Sequence, residues 1–234
     1  GFGAQGTAVG EVVITTGMTG YQETLTDPSY YGQIVTQTFP LIGNYGLNDS
    51  DVESAKPWVR GYVVREWCEE PSNFRSLYNL DEYLKEHGVP GIYDIDTRAL
   101  TKKIREHGVL NGTITAELPG DMSAFLMELK GYAIQDAVKT VSCAEKTFYP
   151  AEDEKFRVVL YDYGYKANIL QSLLQRGCSV TVVPYDTPLS EIQELRPDGI
   201  MLSNGPGDPA ENTVPIQILK ELMESGIPIF GICL

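Results

Sequence analysis

The sequence predicts an α/β protein in two parts: a mixed α+β amino-terminal domain, then a doubly wound parallel-sheet domain that is truncated. After residue 156, short apolar runs alternate with helical segments, which is typical of a parallel sheet covered on both faces. Up to residue 142, β-rich runs separated by turns dominate, with only two helices among them. Residues 143–155 are charged and interrupted by Pro150, which indicates a linker. We therefore predict domains at 1–142 and 156–234, joined by 143–155.

The first domain has β-rich runs at 10–16, 33–39 and 61–66. Its two helical segments, 80–88 and 96–108, share one scheme: Asp81 and Asp96 are N-cap candidates, and each segment closes on Glu-His-Gly. A basic last turn followed by glycine is a typical helix stop. The segments therefore predict two helices and do not indicate an internal duplication.

The second domain reads as four strands and three helices in alternation. The predicted strands are 156–161, 179–184, 199–202 and 227–230, and the predicted helices are 167–176, 189–195 and 213–225. Right-handed crossovers between such strands produce a doubly wound sheet. Ligands in these folds bind beyond the carboxyl ends of the strands, so the loops after 202 and 230 are the first places to look for a site.

Composition excludes several functional classes. The chain has 18 Lys and Arg against 32 Asp and Glu, a formal net charge of −14. This balance argues against nucleic-acid binding and against docking on an anionic membrane. The four cysteines are far apart, and no signal peptide or membrane-spanning run is present, which favours a reduced, cytoplasmic protein. Because the sequence lacks an initial methionine and stops just after an apolar strand, we expect a fragment.

The loop after the third strand of the second domain, 203–209, holds two glycines and two prolines. Such a rigid turn lets backbone N–H groups approach a ligand closely. The same composition also fits a tight strand-to-helix connection without any ligand.

The last strand runs into Gly231, Cys233 and Leu234, in the pattern of a nucleophile elbow with a glycine two positions before the nucleophile. The positive end of a following helix would favour the thiolate. A structural cysteine buried at a strand end is the alternative. If the two loops meet, Cys233 and the N–H groups of Gly207 and Leu234 would form a nucleophile with an oxyanion hole.

A thiolate that cleaves an amide also needs a general acid, usually a histidine held by a carboxylate. The only histidines are His87 and His107, at helix ends in the first domain, where we expect capping roles. We therefore expect the base to lie beyond Leu234. Asp162 and Asp208 are interpreted as a strand-end residue and a loop-stabilising residue.

At this point the motifs show a resemblance. Residues 228–234 and 203–209 resemble the nucleophile strand and oxyanion loop of class I glutamine amidotransferases. Six segments of the first domain narrow the resemblance to the carbamoyl-phosphate synthase small-subunit family: 10–13, 16–23, 25–30, 40–46, 95–101 and 111–112.

The resemblance implies a subunit that hydrolyses glutamine through a cysteinyl thioester on Cys233. Ser29, Gly205, Gly207 and Leu234 correspond to glutamine-binding positions, and Gly207 and Leu234 act there through backbone groups. Ammonia then passes to a large synthetase subunit, which makes carbamoyl phosphate from bicarbonate for arginine and pyrimidine biosynthesis. ATP and Mg²⁺ are expected on that partner, and no cofactor or metal in this chain.

Alternatives remain for function and for Ser29. The chain could be a scaffolding subunit whose glutaminase is silent, or another class I amidotransferase, although the amino-terminal motifs speak against the latter. An α/β hydrolase fits least, because that elbow has no place for an Asn-Gly-Pro-Gly loop. Taken without the resemblance, Ser29 is a turn residue in Asp-Pro-Ser-Tyr.

Overall fold

The computed structural model describes residues 1–234 and divides into two compact units, Gly1–Ile134 and Gln135–Leu234. Both units are built on sheets rich in parallel strands. None of the helices combines the length and the apolar character needed to span a membrane.

The first unit is organised around a six-stranded sheet. The strands of the unit are β1 (Phe2–Gly3), β2 (Ala8–Thr15), β3 (Gln33–Gln37), β4 (Leu41–Ile42), β5 (Gly61–Val63), β6 (Glu66–Trp67), β7 (Pro90–Ile92) and β8 (Leu110–Ile114). Of these, β4 and β6 form a separate two-stranded sheet, and the other six form the large sheet. The order across the large sheet is β1-β7-β5-β3-β2-β8. Strands β7, β5, β3 and β2 are mutually parallel, and antiparallel β1 and β8 close the two edges. The mixed α+β character is confirmed, with a parallel centre.

Four helices accompany this sheet: α1 (Tyr21–Thr26), α2 (Leu80–Glu86), α3 (Thr97–His107) and α4 (Met122–Lys130). Helices α1 and α2 bury apolar side chains in one core with the sheet, among them Tyr21, Leu25, Leu80, Leu84, Val35 and Tyr62.

The predicted caps of the two long helices had different outcomes. Asp96 caps α3 as predicted, accepting a hydrogen bond from the Ala99 N–H at 2.9 Å. The prediction for Asp81 was wrong: Asn79 caps α2 through a reciprocal capping box with Glu82. Asp81 instead accepts a hydrogen bond from the Gly3 N–H at 2.7 Å.

The second unit has a five-stranded sheet in the order β13-β12-β10-β11-β9. Its elements are α5 (Ala137–Val141), β9 (Thr147–Tyr149), β10 (Phe156–Asp162), α6 (Ala167–Leu174), β11 (Cys178–Pro184), α7 (Leu189–Leu195), β12 (Gly199–Leu202), α8 (Thr213–Glu224) and β13 (Ile229–Gly231). Strands β10 to β13 are parallel, and β9 is an antiparallel edge strand. The predicted alternation of strands and helices is confirmed.

Alternating residues along the strands of the second sheet point to opposite faces and pack into two separate hydrophobic cores. Val159 and Ile200 pack with Ile192 of α7 and Leu222 of α8. On the opposite face, a second cluster joins Leu170 of α6 to Leu160, Val180, Val182 and Met201. Helices therefore cover both faces, as in a doubly wound sheet. In the sheet, β11 lies on one side of β10, and β12, the next strand in the chain, lies on the other side of β10. This reversal of direction makes a topological switch point between β10 and β12.

The structural division between the units falls earlier than the predicted linker. Residues 143–155 contain β9, which pairs with β11, and Val138 of α5 belongs to a core of the second unit. The charged, proline-containing composition reflects an edge strand with solvent on one side. Such an edge carries the polar residues that an exposed linker also carries.

Candidate functional site

The candidate site lies at the carboxyl ends of β10, β12 and β13 in the second unit. Leu202 of β12 pairs with Tyr161 of β10 on one side and with Gly231 of β13 on the other. The Ile232 N–H continues this pairing by donating to the Leu202 carbonyl at 3.0 Å. The two loops singled out in the sequence therefore leave neighbouring strands at the same edge, beside the switch point.

Cys233 occupies the turn that follows β13. Its φ of 66° lies in the left-handed region, which non-glycine residues adopt at a cost of about 1–3 kcal/mol. In residues 1–234, the Cys233 side chain is exposed. A cysteine with left-handed backbone on the turn beyond a parallel strand shares this feature with the nucleophile-elbow pattern.

Gly205 lies directly against the Cys233 turn. A Cβ added at Gly205 would overlap the carbonyl oxygen of Tyr163 and would lie 3.0 Å from Cδ2 of Leu234. Only a glycine leaves room for these two neighbours, so the 203–209 loop packs against both the β10 loop and the end of the nucleophile turn. The structure thus brings together Gly205 and Leu234, two of the predicted site residues.

Gly207 supplies the second special backbone position of the loop. Its φ of +81° is left-handed, and an added Cβ would stand 3.0 Å from the Cβ of Ala137. The N–H groups of Gly207 and Leu234 make no hydrogen bond within the chain. The Gly207 N–H, in the interior of the chain, is therefore available to a ligand.

Two buried polar residues fix the start of this loop. The Tyr163 N–H donates to Ser203 Oγ at 3.0 Å, and that hydroxyl donates to the Asn204 carbonyl at 2.8 Å. The Asn204 side chain donates to the Gly164 carbonyl at 2.8 Å and accepts from the Lys166 N–H at 3.2 Å. Buried polar groups satisfied in this way define one loop conformation.

Sequence reasoning had treated Ser203 and Asn204 only as parts of a turn. Their role is visible in the sequence only as two polar residues directly after a buried strand. The two partners of Asn204, Gly164 and Lys166, lie 40 and 38 residues away in sequence. Only the order of the strands brings them next to Asn204.

Both aspartates near the site have structural roles, as expected. Asp162 at the end of β10 accepts hydrogen bonds from the N–H groups of Gly164 and Tyr165 through Oδ1, and from Cys143 through Oδ2 at 2.7 Å. Asp208 stabilises its own loop by accepting from the Ala210 N–H at 2.9 Å.

The neighbouring thiol is chemically quiet. Burial, with the nearby Asp162 carboxylate, raises the pKa of the Cys143 thiol to about 12. Cys143 therefore stays protonated at neutral pH and does not compete with Cys233 as a nucleophile.

The predicted site residue Ser29 belongs to the first unit. It lies in a short 3₁₀ helix, Pro28–Tyr30, and its N–H donates to Oδ1 of Asp27 at 2.9 Å. The turn interpretation is therefore correct for its backbone, while its side chain is half-buried.

The two histidines lie at helix ends, as predicted. Nδ1 of His87 and of His107 each lies 2.9 Å from a carbonyl oxygen one turn earlier, those of Tyr83 and Lys103. Both are exposed parts of the first unit, and the second unit contains no histidine. The structure also holds no group of three or more His, Cys, Asp or Glu side chains suited to a metal ion.

Comparison with known families agrees with the division into two units. Residues 1–114 match the family described as carbamoyl-phosphate synthase small chain, CPSase domain, and residues 159–234 match glutamine amidotransferase class-I. The carbamoyl phosphate synthase small chain of Bacillus anthracis is 52% identical over 234 residues, all of this chain and 63% of that relative. The protein of the same name from Listeria monocytogenes serotype 4b is 52% identical over 233 residues, 99% of this chain and 63% of the relative. The chain thus spans somewhat less than two thirds of the length of these relatives.

Proposed function

Because the chain belongs to the carbamoyl-phosphate synthase small chain family, we propose that it supplies the glutamine-hydrolysing chemistry of a carbamoyl-phosphate synthase. The observation that carries the proposal is the left-handed turn at Cys233 directly after β13, with Leu234 packed against Gly205. The packing of Leu234 against Gly205 supports a site in which Cys233 and the 203–209 loop act together.

In the proposed reaction, the Cys233 thiolate attacks the side-chain amide carbon of glutamine. The carbonyl oxygen becomes an oxyanion, which the N–H groups of Gly207 and Leu234 stabilise. The C–N bond then breaks, and the nitrogen takes up a proton and leaves as ammonia, with a thioester remaining on sulfur. Water hydrolyses the thioester to glutamate and regenerates the thiol.

The proton for departing ammonia needs a donor that the second unit does not supply, since it has no histidine. We propose that a histidine outside residues 1–234 fills this role. Residues 1–234 would then contribute the nucleophile and the oxyanion donors. The histidine and the carboxylate that holds it would come from outside these residues.

Glutamine recognition in this proposal uses Ser29, Gly205, Gly207 and Leu234. Gly205 would contribute by letting the 203–209 loop pack closely against Tyr163 and Leu234, since any side chain there would collide with the Tyr163 carbonyl. Ser29 would contribute through its side chain, from the first unit.

The partner in this proposal is a large synthetase subunit, which receives ammonia and uses ATP, Mg²⁺ and bicarbonate to form carbamoyl phosphate in the cytoplasm. The product serves arginine and pyrimidine biosynthesis. The match of residues 1–114 to the small-chain domain supports this assignment over other class I amidotransferases.

The direct test is labelling with a glutamine analogue that carries an electrophilic chloroketone in place of the amide. The assembled enzyme should be alkylated at Cys233 alone, and glutamine should protect it. Cys178→Ser is the control variant, because it removes a half-buried thiol of the same unit. Absence of labelling at Cys233, with ammonia-dependent synthesis intact, would instead establish a scaffolding subunit with a silent glutaminase.

A further inference from the structure

A cleft of about 460 Å³ opens at one edge of the first unit, far in sequence from Cys233. It is lined by Thr38, Pro40, Arg65, Thr97, Arg98, Thr101, Lys102 and Arg105. Four of these eight residues are cationic and none is acidic. In a chain of net charge −14, this is a local reversal of sign.

The position of the cleft in the sheet is that of a ligand site. Thr38 follows β3, Arg65 follows β5 by two residues, and Thr97 begins α3 after β7. These three strands are adjacent and parallel, so their carboxyl ends meet at this edge. Crevices at the carboxyl ends of parallel strands are where open α/β sheets bind ligands.

The cationic side chains come mainly from one face of α3. Arg98, Lys102 and Arg105 are spaced at i, i+4 and i+7, which aligns them along the helix. None of these three takes part in an ion pair within the chain. Arg65 has only a loose contact to its exposed neighbour Glu66, with 3.8 Å between Nε and Oε1. Three like charges on one helix face repel each other, and an anion between them would relieve that repulsion.

A threonine hydroxyl in the cleft adds a neutral donor beside the cationic groups. Thr97 lines the cleft and is 3% exposed as a whole residue, and its hydroxyl, which makes no hydrogen bond within the chain, still reaches the surface of the cleft. That hydroxyl is therefore a donor open to a group that enters the cleft. The nearest carboxylate on the helix, Asp96, is occupied by the Ala99 N–H.

We propose that this cleft binds the phosphate group of a small ligand. Arginine guanidinium groups match phosphate oxygens in two-pronged hydrogen bonds, lysine adds a point charge, and a threonine hydroxyl donates to a remaining oxygen. A cleft of about 460 Å³ has room for a small phosphate ester, which can contact the hydroxyl and the cationic groups together. Phosphate binding in this cleft does not require the glutamine chemistry.

The test is calorimetric titration of the chain with inorganic phosphate and, separately, with ribose 5-phosphate. Saturable binding of either probe that weakens with added salt is the expected result. Equal affinities would mean that the phosphate group alone is recognised, and tighter binding of ribose 5-phosphate would identify an organic phosphate as the ligand. The absence of saturation up to about 10 mM of both probes would overturn the proposal.

Three variants locate the binding. Arg98→Gln and Thr97→Val should each weaken phosphate binding, Arg98→Gln by about tenfold or more because it removes a charged donor pair. Lys103→Gln is the matched control: it removes one exposed positive charge from the same helix but lies outside the cleft lining. If Lys103→Gln weakened phosphate binding as much as Arg98→Gln, the effect would come from net charge alone, and the proposed site would be refuted.

The remaining possibility, that this face docks an acidic protein surface, has its own outcome. Phosphate would then fail to bind, while Arg98→Gln weakened association with the large synthetase subunit. That combination would also overturn the proposal.

Discussion

The two units present the same edge of a parallel sheet in different ways. In the second unit, the edge offers backbone donors and one thiol, held by buried hydrogen bonds of Ser203 and Asn204. In the first unit, it offers long cationic side chains of α3, which are exposed and free of ion pairs. A reacting carbonyl needs donors fixed before the reaction begins. Binding a phosphate group requires mainly charge, and flexible side chains supply that.

The largest expected effect is at the nucleophile. Cys233→Ser should lower glutamine-dependent synthesis by the assembled enzyme on the order of 10⁴-fold or more, because no thioester can form. Ammonia-dependent synthesis should be unchanged. Steady-state assays with each nitrogen donor measure both. Near-normal glutaminase activity in this variant would show that Cys233, at the sheet edge of the second unit, does not carry the reaction.

A second prediction concerns the fixed backbone donors. Gly207→Ala forces a side chain onto a residue with φ of +81° and should lower kcat for glutamine by about 10²–10³-fold as the N–H moves. Gly226→Ala is a matched control, with φ of +73° and no atom within 4 Å of the added Cβ. Both variants carry backbone strain, so a similar loss of thermal stability in each is expected. Equal losses of kcat would mean that strain alone accounts for the effect.

A smaller effect is predicted in the first unit. Ser29→Ala should raise the KM for glutamine about fivefold, the value of one neutral hydrogen bond, and leave ammonia-dependent synthesis intact. Ser123→Ala, an exposed serine of α4, serves as the control. An unchanged KM would confine glutamine recognition to the second unit.

The smallest effect is a pH dependence set by Cys143. Its pKa in the folded chain is about 12, against an ordinary value near 9, so folding favours the protonated thiol. This contribution to the free energy of unfolding is fully present below pH 9 and is lost as the pH rises from 9 towards 12. Denaturant titrations at pH 8 and at pH 10.5 measure this loss. Between the two pH values, the free energy of unfolding should fall less for Cys143→Ala than for the unmodified chain. Identical falls would contradict the assignment.

Much of the second unit follows from local sequence. Apolar runs of strand length, glycines after helices and a Gly-Ile-Cys-Leu turn are local features, and they place the elements and the candidate nucleophile within one or two residues. Helix caps were less predictable. Asn79 and Asp81 both have suitable side chains, and only the path of the chain before α2 decides between them.

The sequence by itself therefore determined the parallel strands and the three long helices of the second unit and the position of Cys233 after the last strand, whereas in the first unit it indicated only three of the eight strands and two of the four helices. These features depend on side-chain pattern and backbone preference over a few residues. Tertiary structure decided what meets at each sheet edge, because strand order brings together groups that are distant along the chain. Ser203 and Asn204 acquire their partners in this way. The same holds for Thr38, Arg65 and Arg98, whose common cleft exists only once three strands lie side by side.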